Sequence, residues 1–465
     1  MNAPSRLSFG GFLLLVFVVA LAAALRIGYL TTATDNGRGT PALAVQGVGP
    51  RSELSRDGEG REQKQPTALD DLVQNLTEKR CYAAQAPLAK EEETTAHMAP
   101  GYPWLIAQLA QFDAAPDAPV RWLQCVLGAL TAGCLFLFAR RAFNNEVVAL
   151  LAGLLAAVHP FWIINAAELN DGVLTTFLLA ATLMLGTRGA QSGGACTSLL
   201  YGLSLAGLAM TRAALLPFGI VGLLWYLYQC KNIRYGWFNA ILAFLGFANG
   251  LAPWAVRNLN AFEEPVPVAS SAGLHLWIGN NPQANGGPMD EAALRKSLPP
   301  ERLAELLGES NQAKRYASLG QDVLGEITRD PAAAVTHRWQ AGMKFLVGAD
   351  WFAQQRLSRD LQGRAENEIM AAPDWLAPYA ELWLQGSLLA LVLFGCLGRR
   401  WSHAWRKNAR LATLAFLWVP LTYLLSHAEE LTGPRLPWDA LLICFSAYAL
   451  ACLMPQVAGS AEADD

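Results

Sequence analysis

The sequence predicts an all-α, polytopic integral membrane protein of about ten transmembrane helices with two long outer loop regions. Three observations predict it. Of 465 residues, 53% are hydrophobic and only 16% charged, against about 25% charged in soluble domains. The apolar residues are gathered in runs of membrane-spanning length. The Lys and Arg residues of the short connections fall in alternate loops, as positive-inside sidedness requires.

Spans are expected near 9–30, 119–138, 147–166, 172–187, 196–211, 213–230, 237–256, 380–398, 411–427 and 437–454. The first is read as a retained helix, because its apolar stretch is long and no small-x-small cleavage site precedes the polar sequence. Polar breaks at Glu168-Leu169-Asn170-Asp171 and at Thr211-Arg212 divide two longer apolar regions. Arg140-Arg141, Arg188, Lys231 with Arg234, and the run from Arg399 to Arg410 mark the cytoplasmic side. Residues 31–118, the Glu168–Asp171 turn, residues 257–379 and Glu429–Asp439 then lie outside. The chain divides into a transmembrane part, 1–256, containing the first outer loop 31–118; an outer helical region, 257–379; and C-terminal spans with a short tail, 380–465.

Between Thr31 and Lys64 the first outer loop is rich in Gly, Arg, Ser and Glu and reads as irregular. A helix is expected around Leu69–Arg80. Pro100-Gly101-Tyr102-Pro103 then turns the chain into Trp104–Phe112, too short to span and suited to the interface. In the second outer region, helices are expected near 289–308, 311–329 and 331–347, with Pro331 in a first turn.

A net charge of −3 argues against a nucleic-acid partner. Of eight cysteines only Cys81 lies in clearly polar sequence, so no disulfide framework is expected. No Walker motif, dinucleotide fingerprint or nucleophile elbow occurs, which argues against ATP-driven transport.

The residues able to carry chemistry lie on the outer side. Asp35, Asp70, Asp71 and Glu91-Glu92-Glu93 offer carboxylates that could accept a proton, or form a solvated acidic surface. Glu168 and Asp171 interrupt an apolar region where charge is costly and by default functional. Arg26 and Arg212 stand at helix ends, placed either to snorkel or to meet an anionic phosphate. Arg257, after Pro253-Trp254, can grip a phosphate as a fork. His97, His275 and His427 with nearby carboxylates could hold a divalent metal, although no zinc-type spacing appears. Asn280-Asn281-Pro282 is a turn signal.

Several stretches carry a resemblance: Gly250-Leu251-Ala252-Pro253-Trp254-Ala255-Val256-Arg257-Asn258, read as the exit of a central helix; the loop signature Leu276-Trp277-Ile278-Gly279-Asn280-Asn281-Pro282; the Pro100–Pro103 turn; Asp171 before Gly172-Val173-Leu174; and Arg435-Leu436-Pro437. Together they resemble lipid-linked-sugar glycosyltransferases of the GT-C type, the group of bacterial protein O-mannosyltransferases and the lipid A aminoarabinose transferase. The resemblance implies an enzyme that moves a sugar, with inversion, from a polyprenyl-phosphate carrier to a glycan, lipid or protein acceptor at the outer face of the cytoplasmic membrane. It implies a catalytic base among Asp71, Asp35 and Asp70, in that order, with Asp171 in the site. It implies Arg257 and Arg435 on the donor phosphate, with Arg26, Asn280, Asn281, Tyr102 and Glu168 around the substrate. It leaves a divalent metal, held by His97 and His275, open as a cofactor. The chain departs from the pattern by lacking the Tyr before the first-loop helix and the Arg-Tyr pair near Arg435. Two other classes remain: a lipid or sugar transporter or flippase, which would need broken midplane helices and repeat symmetry, and a non-catalytic envelope-assembly protein.

Overall fold

The computed structural model describes residues 7–33, 53–56, 62–65, 68–112, 117–231, 233–347, 409–428 and 435–454. The expected span 380–398 and the candidate base Asp35 lie outside the described residues.

In chain order the helices are α1 (Phe9–Ala33), α2 (Ala68–Glu78), α3 (Gly101–Leu109), α4 (Asp117–Phe143), α5 (Glu146–Ala157), α6 (Pro160–Asn165), α7 (Gly172–Ser192), α8 (Ala195–Thr211), α9 (Leu216–Cys230), α10 (Gly236–Phe262), α11 (Ala272–Asn280), α12 (Glu291–Lys296), α13 (Pro300–Gly308), α14 (Gln312–Arg329), α15 (Pro331–Val347), α16 (Arg410–Leu425) and α17 (Leu436–Cys452). Strands β1 (Glu53–Arg56) and β2 (Glu62–Gln65), and β3 (Ala83–Ala84) and β4 (Glu93–Thr94), form two antiparallel hairpins. The first falls where the sequence reads as irregular, because neither strand carries a β-branched or aromatic residue.

By length and apolarity α1, α4, α7, α9 with its leading 3₁₀ turn, and α10 can each cross a membrane, and α5, α8, α16 and α17 are shorter apolar helices. These nine coincide with nine of the expected spans. The bundle is apolar on its outside as well as its inside. Phe12, Phe17, Phe244, Leu245 and Leu417 are exposed, while Phe136, Leu183, Leu205 and Leu441 fill the core. An outward apolar face is what hydrocarbon surroundings demand. α1 packs on α4 and α5, α4 on α7, α7 on α8, and α8 most extensively on α10; α17 closes the bundle against α5 and α7.

Two helices differ from the sequence reading in extent. The apolar region 147–166 breaks at His159-Pro160, since a residue before proline is pushed out of the helical region. His159 takes extended angles, and Pro160 opens α6 at its first turn. α10 does not end at Pro253-Trp254; Pro253 lies inside it and the helix runs on to Phe262. A proline is tolerated in a long membrane helix when neighbours satisfy the freed backbone groups.

Among the described residues the basic connections share one end. Arg141 donates to Gln191 at 3.3 Å, joining the ends of α4 and α7, and Arg140 pairs with Glu146 at 2.5 Å. At the opposite end α11–α14 enclose a core of their own, with Leu88, Leu274, Trp277, Leu306, Tyr316 and Leu319. The Trp-Ile-Gly-Asn-Asn signature is thus mostly helix, not loop. Gly279 is where the outer layer meets the bundle: a Cβ there would stand 1.6 Å from the Ser426 carbonyl oxygen, just past α16.

The α8–α10 crossing also requires glycine. A Cβ on Gly202 would lie 1.9 Å from the Ala243 carbonyl oxygen. Gly202→Val is therefore expected to lower the thermal midpoint in detergent by several degrees, given overpacking costs of about 1–3 kcal/mol. Gly10→Ala, at a position with nothing within 4 Å, is the control and should leave it unchanged.

Candidate active site

The end of the bundle opposite the basic connections is built around buried and half-buried arginines. In Arg212, at the C-terminus of α8, Nε donates to Asp171 Oδ2 at 2.5 Å and Nη2 to Oδ1 at 2.7 Å, a two-toothed pair across two helix ends. Its Nη1 donates to the Tyr423 hydroxyl on α16 at 2.6 Å. Asp171 stands at the N-terminus of α7 and also accepts from Thr175 at 3.3 Å. The helix N-terminus favours its negative charge.

A second assembly surrounds Arg435, at the N-terminus of α17. Its Nε donates to Asp439 Oδ1, one turn on, at 2.6 Å, and its Nη1 donates to the Leu346 carbonyl at the end of α15. The other carboxylate oxygen, Asp439 Oδ2, meets His159 Nε2 at 3.1 Å. Aromatic rings join the two assemblies. Tyr423 stacks on Phe345 with centroids 5.4 Å apart, Phe345 meets Trp438 at 5.6 Å, and the Arg435 guanidinium lies 6.0 Å from the Trp438 ring. Arg212, Asp171, Tyr423, Arg435, Asp439 and His159 thus form one connected set on the outer ends of α7, α8, α16 and α17 and at the α5–α6 break.

The Glu168–Asp171 turn is held from below. Arg121 Nε donates to the Ala167 carbonyl at 2.8 Å. Tyr102 donates to Gln124 Oε1 at 2.9 Å, and Gln124 Nε2 donates to the carbonyls of Ala166 at 3.2 Å and Glu168 at 2.6 Å. Asn170 Oδ1 accepts from Gly172 N–H at 2.9 Å. Tyr102 therefore acts on this turn through Gln124. Burial pushes the Glu168 carboxyl up to about 7, with Arg121 opposing. Asp71 sits on the first turn of α2, whose Leu69 and Val73 share an apolar cluster with Tyr102 and Leu169. Burial and the neighbouring Glu92 and Asp70 raise its carboxyl above the usual range, while the Gln85 backbone and Lys79 lower it.

Other expected residues do different work. Arg26 is fully buried, and donates to the carbonyls of Ala157 and Ala156 at 3.1 Å each, closing the C-terminus of α5. Arg257 donates to the carbonyls of Thr95 at 2.8 Å and Tyr82 at 3.0 Å, fastening the β3–β4 hairpin to α10, and lies over Trp254 at 4.8 Å. Asn280 donates to the carbonyls of Leu276 at 2.6 Å and Leu425 at 3.2 Å. Asn281 donates to those of Trp277 and Ile278, both at 3.0 Å. These asparagines bind α11 to itself and to α16.

His275 Nδ1 and His427 Nε2 are 2.9 Å apart, each the other's hydrogen-bond partner. His97 is hydrogen-bonded to Thr95 at 2.9 Å, and burial with the nearby His275 lowers it to about 4. Among the described residues no three His, Cys, Asp or Glu side chains form a group able to hold a metal ion. The described histidines therefore do not make a resident metal centre by themselves. The seven described cysteines are free thiols.

Sequence reading missed His159, Tyr423 and Asp439 as site residues. Two had a visible signal: a His-Pro pair inside an apolar run, and an acid four residues after Arg435, the spacing of helix neighbours.

The bundle and its buried outer charges define a multi-pass helical membrane protein with a polar site at one membrane face. Residues 97–256 match the family described as dolichyl-phosphate-mannose-protein mannosyltransferase, and the resemblance to GT-C glycosyltransferases is borne out over that segment. No curated protein sequence matches the chain. Among solved structures it is similar to the Archaeoglobus fulgidus oligosaccharyltransferase in complex with zinc and sulfate, at 13% identity and a TM-score of 0.48, covering 97% of this chain and 50% of that one. The archaeal oligosaccharyltransferase AglB from A. fulgidus, in complex with an inhibitory peptide and a dolichol-phosphate, gives 13%, 0.48, 95% and 50%. ArnT from Cupriavidus metallidurans bound to undecaprenyl phosphate gives 13%, 0.37, 96% and 79%. The chain spans about half the length of the oligosaccharyltransferases.

The raised Glu168 carboxyl has a pH signature. Below its ordinary value of 4.5 the group is protonated in folded and unfolded chains alike. From 4.5 up to about 7 the unfolded chain releases a proton that the folded chain retains, so stability falls as pH rises through this window. Glu168→Gln is expected to remove that part of the decline in thermal midpoint between pH 5 and pH 8, and an unchanged slope would refute the assignment.

Proposed function

We propose that this chain is a glycosyltransferase that moves a sugar from a polyprenyl-phosphate carrier to an acceptor at the outer face of the cytoplasmic membrane. The observation that carries the reading is the connected pair of arginine–aspartate assemblies, Arg212–Asp171 and Arg435–Asp439, joined through Tyr423, Phe345 and Trp438 at the outer ends of the bundle. The family match over 97–256, which contains Asp171 and Arg212, supports a lipid-phosphate sugar donor. A guanidinium is suited to this task, because it stays charged and presents N–H groups in a plane that fits phosphate.

The step is a single displacement. An acceptor oxygen or nitrogen attacks the anomeric carbon from the face opposite the phosphate. The carbon–oxygen bond to phosphate breaks, the electron pair leaves with the phosphate, and configuration inverts. The acceptor proton passes to an outer carboxylate. Asp71 is the first candidate, since a raised carboxyl is a better base near neutral pH; Asp35 and then Asp70 follow it. Arg435 and Arg212 receive the charge that grows on the leaving phosphate, the largest electrostatic demand of the reaction. Fixed orientation is what makes such donors effective, and both are held by carboxylates. A divalent metal would supplement the same charge.

The test is transfer of radiolabelled sugar from undecaprenyl-phosphate-mannose in membranes containing the chain. Arg435→Ala and Arg212→Ala are each expected to cut the rate by about 10²–10³-fold, as loss of a transition-state donor does. Asp71→Asn should cost about 10²–10⁴-fold with little change in donor KM. Undiminished transfer in both arginine variants would end the proposal, while an active Asp71→Asn would move only the base.

A further inference from the structure

We infer that His159 is a positioning residue for Arg435, acting through Asp439. The inference rests on the reading of Arg435 as the group that meets the carrier phosphate. His159 is completely buried, at the break between α5 and α6, and no part of the displacement chemistry needs a proton there. Its geometry has another use. Nδ1 accepts from the Trp162 backbone N–H at 3.4 Å. The ring proton therefore belongs on Nε2, which donates to Asp439 Oδ2 at 3.1 Å. Trp162 stacks on the imidazole with centroids 4.8 Å apart and planes 14° apart, fixing the ring plane.

Asp439 is thus held at both oxygens, by His159 on one and by Arg435 Nε on the other at 2.6 Å. A carboxylate gripped at one oxygen only can rotate about its terminal bond, and its arginine partner would rotate with it. The His159 bond removes that freedom. The side of the guanidinium away from Nε is anchored on the Leu346 carbonyl. The plane of Arg435 is therefore set by two elements distant in sequence, the α5–α6 break and the end of α15. A phosphate fork depends on that plane, because bidentate recognition is geometric as well as electrostatic.

The arrangement separates three variants. His159→Phe keeps a ring on Trp162 and loses the donor. His159→Gln places an N–H near the position of Nε2. Arg435→Ala removes the residue being positioned. The experiment measures binding of undecaprenyl phosphate to the full-length protein in detergent, with the thermal midpoint recorded for every variant. Arg435→Ala is expected to weaken binding by at least about 10-fold, in the range of a lost hydrogen bond to a charged group. His159→Phe should weaken it by about 5-fold and His159→Gln by less than about 2-fold, since the donor is restored. The double variant His159→Phe with Arg435→Ala should bind no worse than Arg435→Ala alone, because the two act as one unit. If His159→Phe fails to fold, Asp439→Asn tests the same relay from its centre and should likewise add nothing to Arg435→Ala.

Wild-type affinity in His159→Phe, or losses that multiply in the double variant, would overturn the inference while leaving Arg435 on the phosphate. Wild-type affinity in Arg435→Ala would instead remove the phosphate reading, and the inference with it.

Discussion

A guanidinium taken out of water needs partners for its N–H groups, and the end of this bundle away from the basic connections is arranged around that need, with Nε of Arg26 and of Arg338 left unanswered. An unpaired buried charge costs several kcal/mol, and a helix end in an apolar setting leaves carbonyls that cost nearly as much when unmet. The chain lets one need satisfy the other. Arg26 reaches from α1 to α5 and answers the Ala156 and Ala157 carbonyls at the end of the helix that breaks at His159-Pro160. Arg121 does the same for the Ala167 carbonyl. Arg338 donates to the carbonyls of Leu425 and Gly279, closing α16 and α11 together. Carboxylates answer others: Asp171 for Arg212, Asp439 for Arg435, and Glu93 for Arg315 at 2.8 Å.

These pairings divide the arginines by task. Arg26 and Arg338 end on backbone carbonyls. Arg315 ends on Glu93 and the Glu309 carbonyl in the helical layer, whereas Arg212 and Arg435 end on carboxylates at the bundle and each also reaches a group from a distant element, the Tyr423 hydroxyl or the Leu346 carbonyl. The distinction matters for chemistry. A carbonyl cap leaves an arginine's charge in place, whereas a carboxylate largely neutralises it and fixes the plane of the guanidinium. The outer helical layer is docked onto the same region through Gly279 against Ser426 and the His275–His427 bond, so the floor and the cover of the site are joined at the end of α16.

Much of this fold is legible in the sequence, because membrane insertion writes itself locally. A span needs an unbroken apolar run whatever its neighbours are, and a cytoplasmic loop needs its Lys and Arg whatever the tertiary structure is. Hence the nine described apolar helices and the common end of Arg140, Arg141 and Gln191 follow from residue type alone. Amphipathic α14 and α15 were equally visible, the latter from Pro331. The site is less legible, because its bonds cross long sequence distances. Asp171 finds Arg212 forty-one positions away and His159 finds Asp439 two hundred and eighty away. Spacing could suggest only the Arg435–Asp439 neighbour pair. Asn280, Asn281 and Arg257 looked functional because they are polar and sit at the membrane face. Their polarity is instead used by backbone carbonyls, a demand invisible until the carbonyls are placed.

Under the proposed function, the carboxylate pairing of the two arginines is understood from what the site must survive with no lipid phosphate bound. A lone guanidinium at this depth would be destabilising whenever the carrier is absent. Pairing makes the empty site electrically quiet and leaves the fold intact. Under the proposed function a lipid phosphate competes with the carboxylates for N–H groups whose planes are already held, so little reorganisation is required. Fixed carboxylates also repel the charge that would grow on a departing phosphate, so under the proposed function their contribution is to hold the two arginines in place and in plane. Lysine in either position would keep the charge and lose the plane, and it is the plane that Asp171, Asp439, Tyr423 and His159 are placed to hold.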